Sequence, residues 1–294
     1  MIQTLHHSDD EFGSITVLDD GDGECRILAF APNDEQSRCL KAAPHILQYE
    51  YTQAMLLVLL FCQPKRVLIL GLGGGSLVTA LHRHIPGIHI TAVELRATVI
   101  DVAQRFFQMP RSKRLQIIQQ DADDFLNNAE IRKVDVVFAD LYHGDGVDHV
   151  QLRADFIARC AANLKEDGWL VMNCWTEQRE DPLLRDALRA HFTDIRTGAD
   201  SQQKLGNHCR QSAGFSNDTC LERHRRTPQC LAGFPVDTRS YALAGIRRIA
   251  CVIVLPINLT GKNHAQTATL VPRPLLNLCP VCPCRNCAET RQWH

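Results

Sequence analysis

A glycine loop and three carboxylates stand where successive apolar runs end. Gly71-Leu72-Gly73-Gly74-Gly75-Ser76 follows the run Val67–Leu70 and opens a helix-like segment. Only glycine lets backbone N–H groups come so close to a ligand in such a turn, and the helix start adds partial positive charge. The dinucleotide fingerprint asks for glycine at the first, third and sixth positions. Here the sixth is Ser76, and Gly71, Gly73 and Gly75 suit a nucleoside held without a pyrophosphate. Glu94 closes the next apolar run, 94 − 71 = 23 residues after Gly71, and is placed to accept hydrogen bonds from two ribose hydroxyls. Asp121 follows the third run and could accept from an adenine amino group, while Asp123 and Asp124 beside it suit the first turn of a helix. Asp140 emerges from Val134–Ala139 into Leu141-Tyr142-His143-Gly144-Asp145-Gly146, a candidate for work on a substrate. Together they describe a site for an adenosyl group with a carboxylate at the reacting end. With no pyrophosphate pattern, S-adenosylmethionine or a relative is the economical ligand.

The elements that must hold these residues alternate. Strands are expected at Val67–Leu70, Ile88–Val93, Leu115–Ile118, Val134–Ala139, Trp169–Met172 and Thr193–Thr197. Helices are expected at Ser76–His84, Ala97–Phe107, Asp123–Asn128, His149–Asn163 and Pro182–His191. Apolar strands alternating with helices imply a mostly parallel sheet covered on both faces, the doubly wound α/β architecture, which binds ligands beyond the carboxyl ends of its strands. Before it, Glu11–Phe30 holds two strand-like runs around Asp19-Asp20-Gly21-Asp22-Gly23, a hairpin signal, and His45–Cys62 reads as one helix ended by Gln63-Pro64.

The chain of 294 residues with 45% hydrophobic content has enough apolar mass for a real core, which excludes disorder throughout. Its net charge of −1 hides an asymmetry: residues 1–200 carry 20 Lys+Arg against 29 Asp+Glu, net −9, and residues 201–294 carry 12 against 4, net +8. Five of 13 cysteines (Cys25, Cys39, Cys62, Cys160, Cys174) lie in the first part and eight in the second. No basic start followed by an apolar stretch is visible, and the longest apolar run, Ala54–Cys62, is far short of the roughly 20 residues that span a bilayer. The expectation is a cytoplasmic protein with no membrane or nucleic-acid partner. Its divisions are a β-hairpin unit over 1–44, a nucleoside-binding α/β domain over 45–199, and an atypical Cys-rich basic tail over 200–294.

From Phe12 to Thr197 these residues resemble the spermidine synthase (polyamine aminopropyltransferase) family, whose fold is of the class I methyltransferase type preceded by a small β domain. The similarity is carried by Gln48-Tyr49-Glu50-Tyr51, the loop Gly71–Ser76, Glu94, Asp121 and Asp140. It implies decarboxylated S-adenosylmethionine as donor, Glu94 on the ribose, Asp121 on the adenine, and Asp140 as the group that deprotonates and aims an attacking amine. Tyr49, Tyr142 and His143 would line the acceptor side, no metal is implied, and relatives commonly form homodimers. The chain departs from the family at Gly74 and His143, where carboxylates are usual, and around Gly13, where a glutamine is; Gln36-Ser37 keeps a later polar pair. The resemblance therefore implies an intact adenosyl half and an altered amine half. Two other readings stand beside aminopropyl transfer: methyl transfer to another small molecule, and a non-catalytic nucleoside-binding module.

After Thr193–Thr197 such a domain needs one more strand at an antiparallel edge, and Asp200–Gln211 is polar with no strand character. Shifted by one base, the codons for Gln202–Gln211 admit Asn-Trp-Val-Ile-Ile-Ala-Gly, a good closing strand. The expectation is a one-base frameshift near Asp200–Gln203 that leaves a poorly ordered tail unrelated to the fold. On that view Cys279-Pro-Val-Cys282-Pro-Cys284-Arg-Asn-Cys287 is an accident of frame rather than a zinc site, and Arg223-His-Arg-Arg226 is a solvated run.

Overall fold

The computed structural model describes residues 2–32, 34–127, 131–143, 146–175, 178, 181–199 and 249–256, with 143, 146, 147, 175, 197–199 and 249–256 described by their backbone. The four-cysteine motif and Arg223–Arg226 lie outside these residues.

The N-terminal unit is a four-stranded antiparallel meander: β1 (Gln3–Asp10), β2 (Gly13–Asp19), β3 (Cys25–Ala31) and β4 (Asp34–Leu40). The hairpin expected around Asp19–Gly23 is β2–β3, with Thr16 facing Ala29 and Asp19 facing Arg26. The outer strands, with sequences QTLHHSDD and DEQSRCL, lack an apolar alternation that would announce them. One face buries Ile15, Val17, Leu28 and Cys39 against Val99, Val102 and Phe107 of the α/β body.

Then follow α1 (Glu50–Met55), a 3-10 segment at Leu56–Leu60, β5 (Arg66–Leu70), α2 (Ser76–His84), β6 (His89–Glu94), α3 (Ala97–Phe106), β7 (Leu115–Gln119), α4 (Ala122–Leu126) and β8 (Val134–Ala139). A short ribbon, β9 (Tyr142–His143) and β10 (Gly146–Val147), precedes α5 (Ala154–Asn163), β11 (Leu164–Trp175), α6 (Pro182–His191) and β12 (Phe192–Ala199); β13 (Ile249–Pro256) comes last. All six expected strands are present. The helix expected over His45–Cys62 is shorter, because residues 46–48 are held outside it: the side chains of Gln48 and Gln53 donate to the carbonyls of Ile46 and Leu47.

The main sheet has the order β12-β13-β11-β8-β5-β6-β7, with parallel pairing from β11 through β7. Strand residues alternate between two cores. Val67, Ile69, Val136, Phe138 and Val171 face α1 and α2; Leu68, Leu70, Val137, Ala139, Leu170 and Met172 face α4, α5 and α6. The chain winds from β5 out to β7, then returns to lay β8 on the other side of β5. The order thus reverses between β5 and β8, the place where open α/β sheets form a ligand crevice.

The expectation that the tail supplies no closing strand is overturned. Ile249–Pro256 lies antiparallel between β11 and β12, with Ile253 facing Val171 on one side and Arg196 on the other. Its sequence IACVIVLP is rich in β-branched residues, as an interior strand requires. The sequence directly after β12 has no strand character, and the closing strand begins some fifty residues later. Because β13 is paired on both sides, Ile253→Pro, which has no backbone N–H to give to the ladder in the sheet interior, should destabilise the fold. Amide exchange should speed up at Val171 and Arg196 in that variant; unchanged protection there would exclude residues 249–256 from the sheet.

Candidate active site

The sheet reversal puts the glycine loop and Asp140 in contact. The Gly71 amide donates to the Val93 carbonyl and the Asp140 amide to the Leu70 carbonyl, both at 2.9 Å. Gly71 has φ +91°, and a Cβ there would lie 2.2 Å from the Asp140 carbonyl oxygen. Gly75, at φ +75°, caps α2, and a Cβ on it would meet Met109 Sδ at 2.6 Å. Both turns need glycine for conformation and for space.

Glu94 ties this loop to the end of β6. Its Oε2 accepts from the Leu72 amide at 3.0 Å and its Oε1 from the Arg96 amide at 2.9 Å. A carboxylate has about four acceptor sites, so capacity for ribose hydroxyls remains. Behind it the buried Arg96 guanidinium grips Asp10 at 2.8 and 3.1 Å, donates to the Gly13 carbonyl at 2.8 Å, and lies 4.6 Å over the Phe30 ring. Burial pushes the Asp10 carboxyl up, but Arg96 and the Phe12 amide outweigh it and hold the pKa below the usual value.

The meander also reaches the loop through Ser37, whose Oγ accepts from the Gly74 amide at 2.8 Å. A Cβ on Gly74 would lie 2.9 Å from both Phe107 Cδ1 and Ser37 Cβ. The volume where a carboxylate side chain would start is therefore already filled.

Asp121 has a structural task of its own. Its Oδ1 accepts from the amides of Asp123 and Asp124 at 2.8 and 3.0 Å, capping α4, and these two acids occupy the first turn. Among the described residues no hydrogen bond uses its Oδ2.

Asp140 sits differently. Burial drives its carboxyl up to about 6, against one opposing hydrogen bond, Asn173 Nδ2 to Oδ1 at 2.8 Å. Tyr51 stands beside it: burial first, then the charges of Asp140 and the phenols of Tyr49 and Tyr142, push its own pKa well above the usual value and keep it neutral. Tyr49 stacks on Tyr51 with centroids 5.7 Å apart and donates to Glu35 Oε2 at 3.1 Å. Glu35 is in turn gripped by Arg38 through both oxygens at 2.9 and 3.0 Å. Tyr51 thus stacks on Tyr49 and feels the charges of Asp140 and Tyr142. The backbone of His143 follows Tyr142 in β9; its side chain, with Gly144 and Asp145, lies outside the described residues.

The four strand ends singled out by their glycines and carboxylates are not the whole site. The fifth offers Asn173, the first polar residue after the apolar Trp169–Met172, and it is the one that touches Asp140. Among the described residues no group of three or more His, Cys, Asp or Glu side chains is placed to hold a metal ion. The thiols of Cys25, Cys39, Cys62, Cys160 and Cys174 are unpaired.

Residues 49–192 match the Spermine/spermidine synthase domain family. The polyamine aminopropyltransferase of Neisseria meningitidis serogroup A is 28% identical over 158 residues, 53% of this chain and 60% of that protein. The eEF1A lysine and N-terminal methyltransferase homolog of Drosophila melanogaster is 38% identical over 85 residues, 29% of this chain and 12% of that protein. A probable spermidine synthase from Corynebacterium glutamicum shares the fold, with a TM-score of 0.61 at 17% identity over 91% of this chain and 84% of that one. The chain spans about 60% of the length of the curated aminopropyltransferases it matches.

A carboxyl at about 6 when folded and 3.8 when unfolded favours folding most below pH 3.8, and that contribution is lost as pH rises through 6. At pH 8 the ionised group therefore costs about 2–3 kcal/mol. Urea unfolding should show Asp140→Asn more stable than the parent at pH 8, with the difference vanishing near pH 4. Equal stability at pH 8 would mean a well-hydrated carboxylate.

Proposed function

We propose that this spermidine synthase-like protein, built on a methyltransferase-type α/β fold, moves an aminopropyl group from decarboxylated S-adenosylmethionine to a small-molecule amine. The observation that carries this is the meeting of the glycine loop and the half-buried Asp140 at the sheet reversal, where the Asp140 carbonyl fills the space a side chain on Gly71 would need. The domain match over residues 49–192 and the aminopropyltransferase relatives support it.

The side-chain-free turn of the glycine loop and the α2 start would cradle the donor, with Glu94 taking the ribose hydroxyls and the Oδ2 edge of Asp121 the adenine amino group. The acceptor nitrogen, as a neutral amine, attacks the aminopropyl carbon next to the sulfonium. As the new C–N bond forms the C–S bond breaks, its electron pair stays on sulfur, and methylthioadenosine leaves as a neutral thioether. The nitrogen then carries a surplus proton, which the ionised Asp140 accepts. A carboxyl titrating near 6 is mostly ionised at pH 8 and still close enough in proton affinity to act as a base. Tyr49, Tyr51 and Tyr142 wall the amine side with aromatic faces suited to a cationic alkylamine. The carboxylates usual at Gly74 and His143 are absent, which favours an amine other than a simple diamine. The five unpaired thiols suit a reducing compartment, which supports the cytoplasm as location.

A second reading is methyl transfer from S-adenosylmethionine, favoured by the match to the Drosophila methyltransferase homolog. The attack geometry is the same, but the donor keeps a carboxylate that a loop donor must satisfy.

Calorimetry with the two donors separates the readings. Tighter binding of the decarboxylated donor is expected, and binding of neither at millimolar concentration would contradict both. Asp140→Asn should lower turnover by about 10²–10⁴-fold, with rates in the parent rising through pH 6, while methylthioadenosine binds as before. Loss of methylthioadenosine binding in that variant would contradict the role given to Asp140.

A further inference from the structure

We infer that Asn173, locked by Gln151, is a positioning residue that decides which oxygen of Asp140 faces the substrate. The inference rests on the role proposed for Asp140. Asn173 lies one residue beyond the Met172–Ala139 register pair of β11 and β8, and so stands across from Asp140. It is 1% exposed, and its Nδ2 donates to Asp140 Oδ1 at 2.8 Å.

Gln151, with no exposed surface, joins both strand ends from behind. Its Nε2 donates to the Asn173 carbonyl at 2.8 Å, and its Oε1 accepts from the Leu141 amide at 3.2 Å. One buried glutamine thereby ties the residue after Asp140 to the residue that holds its carboxylate. With Oδ1 engaged, Oδ2 is the oxygen with no partner among the described residues, and it is left for the nucleophile.

The amide is retained at a cost. Asn173 Oδ1 is buried with no hydrogen-bond partner among the described residues, a state that destabilises a fold and calls for an explanation. A leucine in this apolar strand would avoid it. A donor to a catalytic carboxylate is the explanation the geometry offers, since such local violations gather at functional sites. Among the described residues, Tyr51 of α1 interacts with Asp140 and with the phenols of Tyr49, just before α1, and Tyr142 of β9, and none of these phenols supplies a competing positive charge.

The test follows the Asp140 carboxyl by carbon-13 NMR in the full chain, assigned by its loss in Asp140→Asn. Asn173→Leu removes a bond that favours the ionised form, so the titration midpoint should rise from about 6 by one unit or more, a tenfold change in the ionisation constant. The acid limb of turnover should move with it, while methylthioadenosine binding stays within about twofold. Asn173→Ser, which keeps a hydroxyl donor, should shift less. Gln151→Leu provides the same readout if Asn173→Leu does not fold, with a shift in the same direction. A midpoint identical to the parent in Asn173→Leu, or in Gln151→Leu where that variant must stand in, overturns the positioning role. Undiminished turnover in Asp140→Asn would instead remove the reading beneath it, so the two failures are distinguishable.

Discussion

The Asp140 carbonyl occupies the space that a side chain at residue 71 would need. Everything that makes the crevice useful follows from that close approach. Two adjacent parallel strands, about 4.8 Å apart, run in step and end at the same level. One continues into a glycine turn and a helix start, the other into a carboxylate. Without glycine at 71 the strands would have to part, and donor cradle and base would part with them. The reversal of strand order between β5 and β8 keeps any crossover helix from covering this spot, so the fold leaves an opening where the two chemistries meet.

The three carboxylates are sorted by what surrounds them. Glu94 receives two backbone amides and Asp121 receives two more, so the backbone fixes where each side chain lies. Asp140 has a single side-chain donor and aromatic walls, and burial carries it to about 6. The first two are held in place by the backbone, with an oxygen edge left for hydroxyl and amino groups. The third favours a group that gives and takes a proton near neutrality.

The N-terminal meander is part of the same construction. It reaches the α/β body through Ser37 on the glycine loop and through Arg96, which grips Asp10 and Gly13 while its own amide serves Glu94. Donor-side geometry therefore depends on a sheet outside the nucleoside domain. Glu35, Arg38 and Tyr49 extend that dependence to the amine side.

The parallel strands and their ends were legible because buried strands are written as unbroken apolar runs, and a polar residue after such a run marks the crevice. The outer meander strands were not, since one face is wet and the other only partly covered, leaving no alternation to read. Strand β13 has a clear apolar run and was missed through distance along the chain, because order in a sheet is set by pairing rather than by sequence separation. Asp121 showed its spacing but not its capping task, which depends on where α4 begins. Asn173 and Gln151 escaped because a neutral amide declares nothing until its partner is seen. The central claim, that this crevice transfers an aminopropyl group, is tested most directly by identifying the nucleoside released when the chain is given decarboxylated S-adenosylmethionine with a panel of small amines. Methylthioadenosine formed in step with loss of the amine is the predicted result. Adenosylhomocysteine released from S-adenosylmethionine in its place would contradict it.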